Sequence, residues 1–244
     1  MAMSKEESTR PLGWAPLFGA DAGNDSSAVF CSTIHALLPQ TAVVVDVGCG
    51  RGGMVETLDG TDPLDFRGAG RRVIGIDVDT VGVDNPVLDE FRPIEGDRWP
   101  LDDNSVDLVV SDWTLEHVGD PKAFVSELTR VLRPGGAFVA RTVNRNSVTA
   151  LGARAVPNRH HAKVVERLQP GRQERDVFPT VYGMNTRKDL ASLFDAGYEW
   201  SLTSHGGLHH YVGPWPRLAR VVRAVEPRLP KGNRLTLMVC ARKR

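Results

Sequence analysis

Residues 43–53 read Val-Val-Val-Asp-Val-Gly-Cys-Gly-Arg-Gly-Gly, a β-branched run, an aspartate, and then Gly48, Gly50 and Gly53 spaced as Gly-x-Gly-x-x-Gly. The run Thr41–Val47 has no polar alternation, which predicts a strand covered on both faces. The glycines after it predict a tight turn into a helix, where backbone N–H groups approach a nucleotide-like ligand. Further apolar runs at Arg72–Asp77, Phe91–Glu95, Val106–Ser111 and Ala137–Thr142 predict four more strands. Between the last two, Pro121–Leu132 places Ala123, Phe124, Leu128, Val131 and Leu132 on one helical face. Asp120 caps that helix, Pro121 opens its first turn, and Arg133-Pro134-Gly135-Gly136 stops it. Strands alternating with helices imply an α/β fold with a parallel sheet and right-handed crossovers.

Outward from this core the rhythm changes. Residues 1–26 are polar, with Trp14, Leu17 and Phe18 as an apolar cluster, and read as a loosely held arm. A helix fits residues 27–38, ended by Pro39. Residues 143–180 break the alternation, with a helix expected over Asn158–Leu168 and a Pro/Gly/Arg-rich stretch after it. A helix over Thr186–Ala196, a strand over Tyr198–Thr203, a basic helix over Trp215–Val225 and a closing strand over Arg234–Ala241 complete the reading. The expectation is one domain: an arm and helix in 1–40, a core in 41–142, an insertion in 143–180, and the rest of the sheet in 181–244.

The chain has 244 residues, enough to bury a sizeable core. Its 41% hydrophobic and 25% charged residues are those of an ordinary globular protein. No apolar run approaches the ~20 residues of a membrane helix. No secretory pattern opens the chain, so a cytoplasmic location is expected. Cys31, Cys49 and Cys240 are scattered and suggest neither a disulfide framework nor a zinc site. The net charge of zero conceals a split: residues 1–140 hold 11 Lys/Arg against 23 Asp/Glu, and residues 141–244 hold 19 against 7.

The glycine spacing alone is shared by binders of several nucleotides. Asp46, two positions ahead of Gly48, discriminates among them. A carboxylate there would repel a pyrophosphate and suits a cationic group such as the methionine ammonium of S-adenosylmethionine (SAM). Its bland alternative is a loop or helix cap. Asp77 ends the second run, 31 residues later, where a carboxylate can accept both ribose hydroxyls of an adenosine. Asp97 follows the third run and is either a turn former or an acceptor for the adenine amine.

The stretches VVDVGCGRGG, GIDVD, EGDRWPLDDNSVDLVVSDWTLEHV and LRPGG resemble, in order and spacing, the successive motifs of class I SAM-dependent methyltransferases, and most closely the branch that modifies small molecules and lipids. The resemblance covers about residues 41–142 and, more faintly, YGMNTRKDLASLFDAGY at 182–198. It implies a three-layer Rossmann-like sandwich around a seven-stranded, mostly parallel sheet of order 3-2-1-4-5-7-6, with strand seven antiparallel. It further implies that Asp46, Gly48 and Gly50 hold the methionine moiety and Asp77 the ribose. Asp97 and the Arg98 backbone would hold the adenine, and Ser111 and Asp112 would line the cofactor. Cys49 within the loop and Val78 beside Asp77 complete that set. One departure is Thr80–Asp89, where the family has a helix but Gly82, Asn85 and Pro86 oppose a long one.

Methyl transfer requires in-line positioning, and a base only where the acceptor must lose a proton. His117, after the fourth strand on the ligand side of the sheet, is either that base or a packing histidine. Trp113 either shields the sulfonium or adenine edge or fills the core. The pairs His160-His161 and His209-His210 lack a completing ligand set for a metal. They and Tyr182 are candidates for the acceptor pocket, since residues 143–180 lie where the family varies its lid. The basic residues of 141–175, with Arg217, Arg220 and Arg223 beside an apolar stripe of Trp215, Leu218, Val222 and Val225, read either as a solvated face or as a lid. A lid of that kind would select an anionic acceptor or rest on an anionic membrane surface. The expected function is thus methyl transfer from SAM to a small molecule. An NAD(P)-dependent oxidoreductase, which Asp46 opposes, and an RNA or protein methyltransferase are the rival readings. No RNA-binding module is recognisable, and nucleic acid is not an expected partner.

Overall fold

A computed structural model of the chain describes residues 26–52, 65–68, 70–147, 180–207 and 216–244. In order they form helix α1 (Ser26–Leu37), strands β1 (Val43–Val47), β2 (Arg72–Asp77), β3 (Glu90–Pro93) and β4 (Val106–Asp112), helix α2 (Pro121–Val131), strand β5 (Leu132–Val143), helix α3 (Arg187–Phe194), strand β6 (Tyr198–His205), helix α4 (Pro216–Val225) and strand β7 (Thr236–Lys243). Short 3-10 turns at Thr80–Asp84 and Leu115–His117 lie between them.

The strands make one seven-stranded sheet of order β3-β2-β1-β4-β5-β7-β6. β1 pairs in parallel with β2 and β4, β2 with β3, and β4 with β5, whereas β7 runs antiparallel to both β5 and β6. The carboxyl ends of β1 through β6 therefore share one edge. The chain's order reverses between β1 and β4, the point at which open α/β sheets bind their ligands.

Successive residues of the central strands feed opposite faces, as the pleat requires. Val44, Val73, Leu108, Val110 and Val139 bury one face against Phe30 and Ile34 of α1. Val45, Val47, Ile76, Val109 and Phe138 bury the other against Phe124, Leu128, Leu190 and Phe194 of α2 and α3. Phe194 stacks on Phe138 with ring centroids 5.8 Å apart and meets Tyr198 edge-on at 5.2 Å. Strands buried on both sides explain the uninterrupted apolar runs.

The caps behave as their residues predict. Asp120 accepts from the Lys122 and Ala123 amides at 2.9 and 3.0 Å, and Thr186 caps α3 through the Asp189 amide. The stop expected after α2 holds, and the residues that make it also enter the next strand. The helix ends at Val131, but Arg133–Gly136 lie inside β5, where pairing jumps from Val106–Leu132 to Leu108–Ala137. That register shift is a bulge, which absorbs the turn-forming residues without breaking the strand. Of the apolar stripe expected on the basic helix, Val222 is half-buried and Val225 is 50% exposed. The helix expected over Asn158–Leu168, and most of the segment assigned as a lid, lie outside the described residues. No described helix is long and apolar enough to cross a membrane.

Candidate active site

The glycine loop leaves β1 at Val47 and is tied to its neighbours by backbone and side chain. Gly48 N–H donates to the Ile76 carbonyl at 2.8 Å, and Gly50 N–H to Asp77 Oδ2 at 2.9 Å. Asp77 Oδ1 accepts from the Asp79 amide at 2.9 Å. Asp77 is thus fixed at the carboxyl end of β2, one oxygen on the loop and one on the next turn. A Cβ at Gly48 would come within 2.2 Å of Thr114 Oγ1, so the loop abuts the turn after β4. A Cβ at Gly50 would meet no atom within 4 Å. The open side of the loop is a cradle, with Asp77 bound to it and Asp46 two residues before it in β1. Gly53 lies outside the described residues.

The remaining sequence-predicted cofactor residues separate into groups. Val78 is 72% exposed, an apolar side chain standing free at the carboxyl edge beside Asp77. Asp97 and Arg98 are exposed on the turn after β3, where Arg98 pairs with Asp103 at 3.5 Å. Cys49 points the other way. Its sulfur is buried against Gly75 and Gly82. Burial, and then the charges of Asp46 and Asp77, push its thiol well above the ordinary range. Only its backbone remains for a ligand.

The two strand-four residues are both engaged within the protein. Ser111 is fully buried and donates to the Val47 carbonyl at 3.1 Å, stitching β1 to β4. The Asp112 carboxylate is engaged by Arg141, through Nε to Oδ1 and through Nη2 to Oδ2 at 2.9 Å. Burial raises the Asp112 carboxyl, with the Arg141 hydrogen bond and charge opposing. Arg141 also donates to Ser27 Oγ at 2.7 Å, and its guanidinium lies 4.9 Å from the Phe30 ring centre and 5.1 Å from that of Trp113. Trp113 itself has φ of 53° and donates its N–H to the Arg141 carbonyl at 3.1 Å. Neither sequence reading of Trp113 foresaw this role as the lid of an ion pair.

His117 closes the 3-10 turn that follows β4. Glu116 beside it is buried, its carboxyl raised by that burial and eased back by the Thr142 hydroxyl, which donates to it at 2.7 Å. The Glu116 carbonyl accepts from the Val181 and Tyr182 amides at 2.8 and 3.1 Å. Asn185 donates to Thr142 Oγ1 at 2.7 Å and to the Val143 carbonyl at 2.9 Å. The segment carrying Tyr182, at φ of 60°, is thereby drawn across the ends of β4 and β5 to the turn that carries His117. His160, His161, His209 and His210 lie outside the described residues. Among the described residues no three His, Cys, Asp or Glu side chains form a metal-binding group.

Comparison with known proteins agrees with this geometry. Residues 45–140 match a family model described as a methyltransferase domain. Residues 45–140 are a class I SAM-dependent methyltransferase domain. A Mycolicibacterium smegmatis protein named "Probable S-adenosylmethionine-dependent methyltransferase/" is 41% identical over 107 residues, 42% of this chain and 38% of its own length. A ubiquinone biosynthesis O-methyltransferase from a Methylobacterium species is 35% identical over 109 residues, 42% of this chain and 41% of its own. The chain thus spans about two fifths of the length of these relatives. Among solved structures, a geranyl diphosphate C-methyltransferase from Streptomyces coelicolor superposes with a TM-score of 0.54 at 15% identity, over 89% of this chain and 79% of that one. At that identity the likeness shows the fold alone. The domain's cofactor is SAM, and the residues present fit it: a glycine loop with an open side, the acceptor carboxylates of Asp46 and Asp77, and the exposed apolar Val78.

Proposed function

We propose that the chain transfers a methyl group from SAM to a small molecule. The observation that carries this reading is the convergence of Asp46, the Gly48–Gly50 backbone and Asp77 at the point where the sheet order reverses. Asp46 and the open loop would take the charged methionine end. Asp77 would take the ribose hydroxyls while keeping the Gly50 amide, since a carboxylate has lone pairs enough for both. Val78 would cover an adenine face, and Asp97 with the Arg98 amide would meet its edge. When bound, SAM supplies a methyl carbon activated by its sulfonium.

The chain's own contribution is then positioning and, where the acceptor carries a proton, its removal. His117 and Tyr182 are the acceptor-side groups this reading favours, since Glu116 holds the turn of one against the segment of the other. The ubiquinone-pathway relative supports a small acceptor. The basic residues beyond Arg141 favour an anionic one.

Incubating the protein and labelled SAM with host extract, with and without a small-molecule filtrate, tests the reading. Label should pass to a product of low molecular mass. Label found only in RNA or protein would contradict it.

A further inference from the structure

The segment that departs from the family pattern, Thr80–Asp89, touches the cofactor cradle from behind. Asp79 caps its single 3-10 turn by accepting from the Val81 amide at 3.1 Å. The chain then turns at Asn85, which is 6% exposed. Asn85 Nδ2 donates to the Cys49 carbonyl at 3.0 Å and points at the Gly50 carbonyl at 3.4 Å, while Oδ1 accepts from the Val87 amide at 3.1 Å. A Cβ at Gly52 would fall 2.4 Å from Asn85 Oδ1, so the loop is pressed directly against this side chain. The same segment grips the loop a second time. Cβ atoms at Gly82 and at Gly75 of β2 would lie 3.0 and 2.8 Å from Cys49 Sγ, a socket that only glycines leave room for.

We propose that Asn85 is a positioning residue for the cofactor: its amide fixes the Cys49 and Gly50 carbonyls, and so sets the shape in which the loop receives the methionine end of SAM. Gly50 is then held from both sides, its N–H by Asp77 and its carbonyl by Asn85. A buried amide donor on two consecutive carbonyls turns those groups toward Asn85 and fixes the backbone path of the loop. No regular helix is needed between Asp77 and β3, because one asparagine supplies the contact. The inference rests on the SAM reading above.

Two substitutions separate this role from a structural one. Asn85→Asp keeps the acceptor for the Val87 amide, and with it the turn of 80–89, but loses the donor to the loop. Asn85→Ala loses both. SAM and S-adenosylhomocysteine affinities are measured by calorimetry on the whole chain, beside thermal melts. Both variants should melt cooperatively and bind SAM about tenfold or more weaker than the wild type. Burial and the facing carbonyls would raise the introduced carboxyl, and once protonated it regains one donor. Lowering the pH from about 8 to about 5.5 should therefore narrow the gap for Asn85→Asp and not for Asn85→Ala. Taking each affinity as a ratio to the wild type removes the response of Asp46, Asp77, Asp79 and Asp84, which all three proteins share. SAM binding within about twofold of wild type in both variants at both pH values would overturn the proposal. So would loss of a cooperative melt in both, which would assign Asn85 to the fold. If the wild type itself bound no SAM, the functional reading would fail first.

Discussion

Asp77 shows how much one side chain can carry. It sits where a ribose acceptor belongs, yet also holds the Gly50 amide and the Asp79 amide. Asp77→Ala should therefore weaken SAM binding by about 1–3 kcal/mol, and Asp46→Ala by a similar amount, measured by calorimetry. Unchanged affinity in both would refute this map of the site. Gly50 makes the complementary case. Its φ of 47° lies in the left-handed region, and its open side faces the cradle. Gly50→Ala should cost about 1–2 kcal/mol of stability from backbone strain, and weaken SAM binding further because the new methyl stands in the ligand's place. The Glu116 carboxyl is raised above its ordinary value by burial. Stability from its protonated form is complete below the unfolded value, about 4.3, and is lost as pH rises through the higher folded one. Glu116→Gln removes that loss. Its melting temperature relative to wild type should climb as pH is raised from acid to neutral, and a flat difference would show that Glu116 is not carried protonated.

Among the elements, α1, β4 and β5 meet at Arg141. Its guanidinium is 3% exposed, paired with Asp112, bonded to Ser27 and covered by the Phe30 and Trp113 rings. Removing one partner strands the other as a buried charge, so Arg141→Met should destabilise by about 3–5 kcal/mol in denaturant melts. The double variant Arg141→Met with Asp112→Leu should recover much of that, and strict additivity would contradict the pairing. In the sequence Arg141 was one basic residue among several, and Asp112 was a cofactor residue. Nothing local reveals that strand-end neighbours 29 positions apart will face each other. The strands, by contrast, were legible because β-branched runs buried on both faces carry their own signature, and Asp46, Asp77 and the glycines because they sit at strand ends. Asn85 was legible only as a helix breaker. Its amide's targets depend on how β2 and the loop pack, which spacing along a chain does not encode. The partners of Ser111 and Asp112, the Val47 carbonyl and Arg141, were hidden for the same reason.

At the scale of the whole molecule, the acidic and basic halves map onto different tasks. The acidic half carries the cradle with Asp46, Asp77 and Asp97, suited to a cationic methionine end and a neutral adenosine. The basic half carries α4, β7 and the segment with Tyr182, the side on which the acceptor is proposed to bind. The sheet joins them with β4 and β5 at its centre, and the proposed cofactor and acceptor sides share its one carboxyl edge. Titrating the unmodified chain with SAM and, in parallel, with NADH by calorimetry tests this division at its root. The account predicts saturable binding of SAM and none of NADH, because Asp46 accommodates an ammonium and repels a pyrophosphate. Micromolar binding of NADH with none of SAM would contradict it.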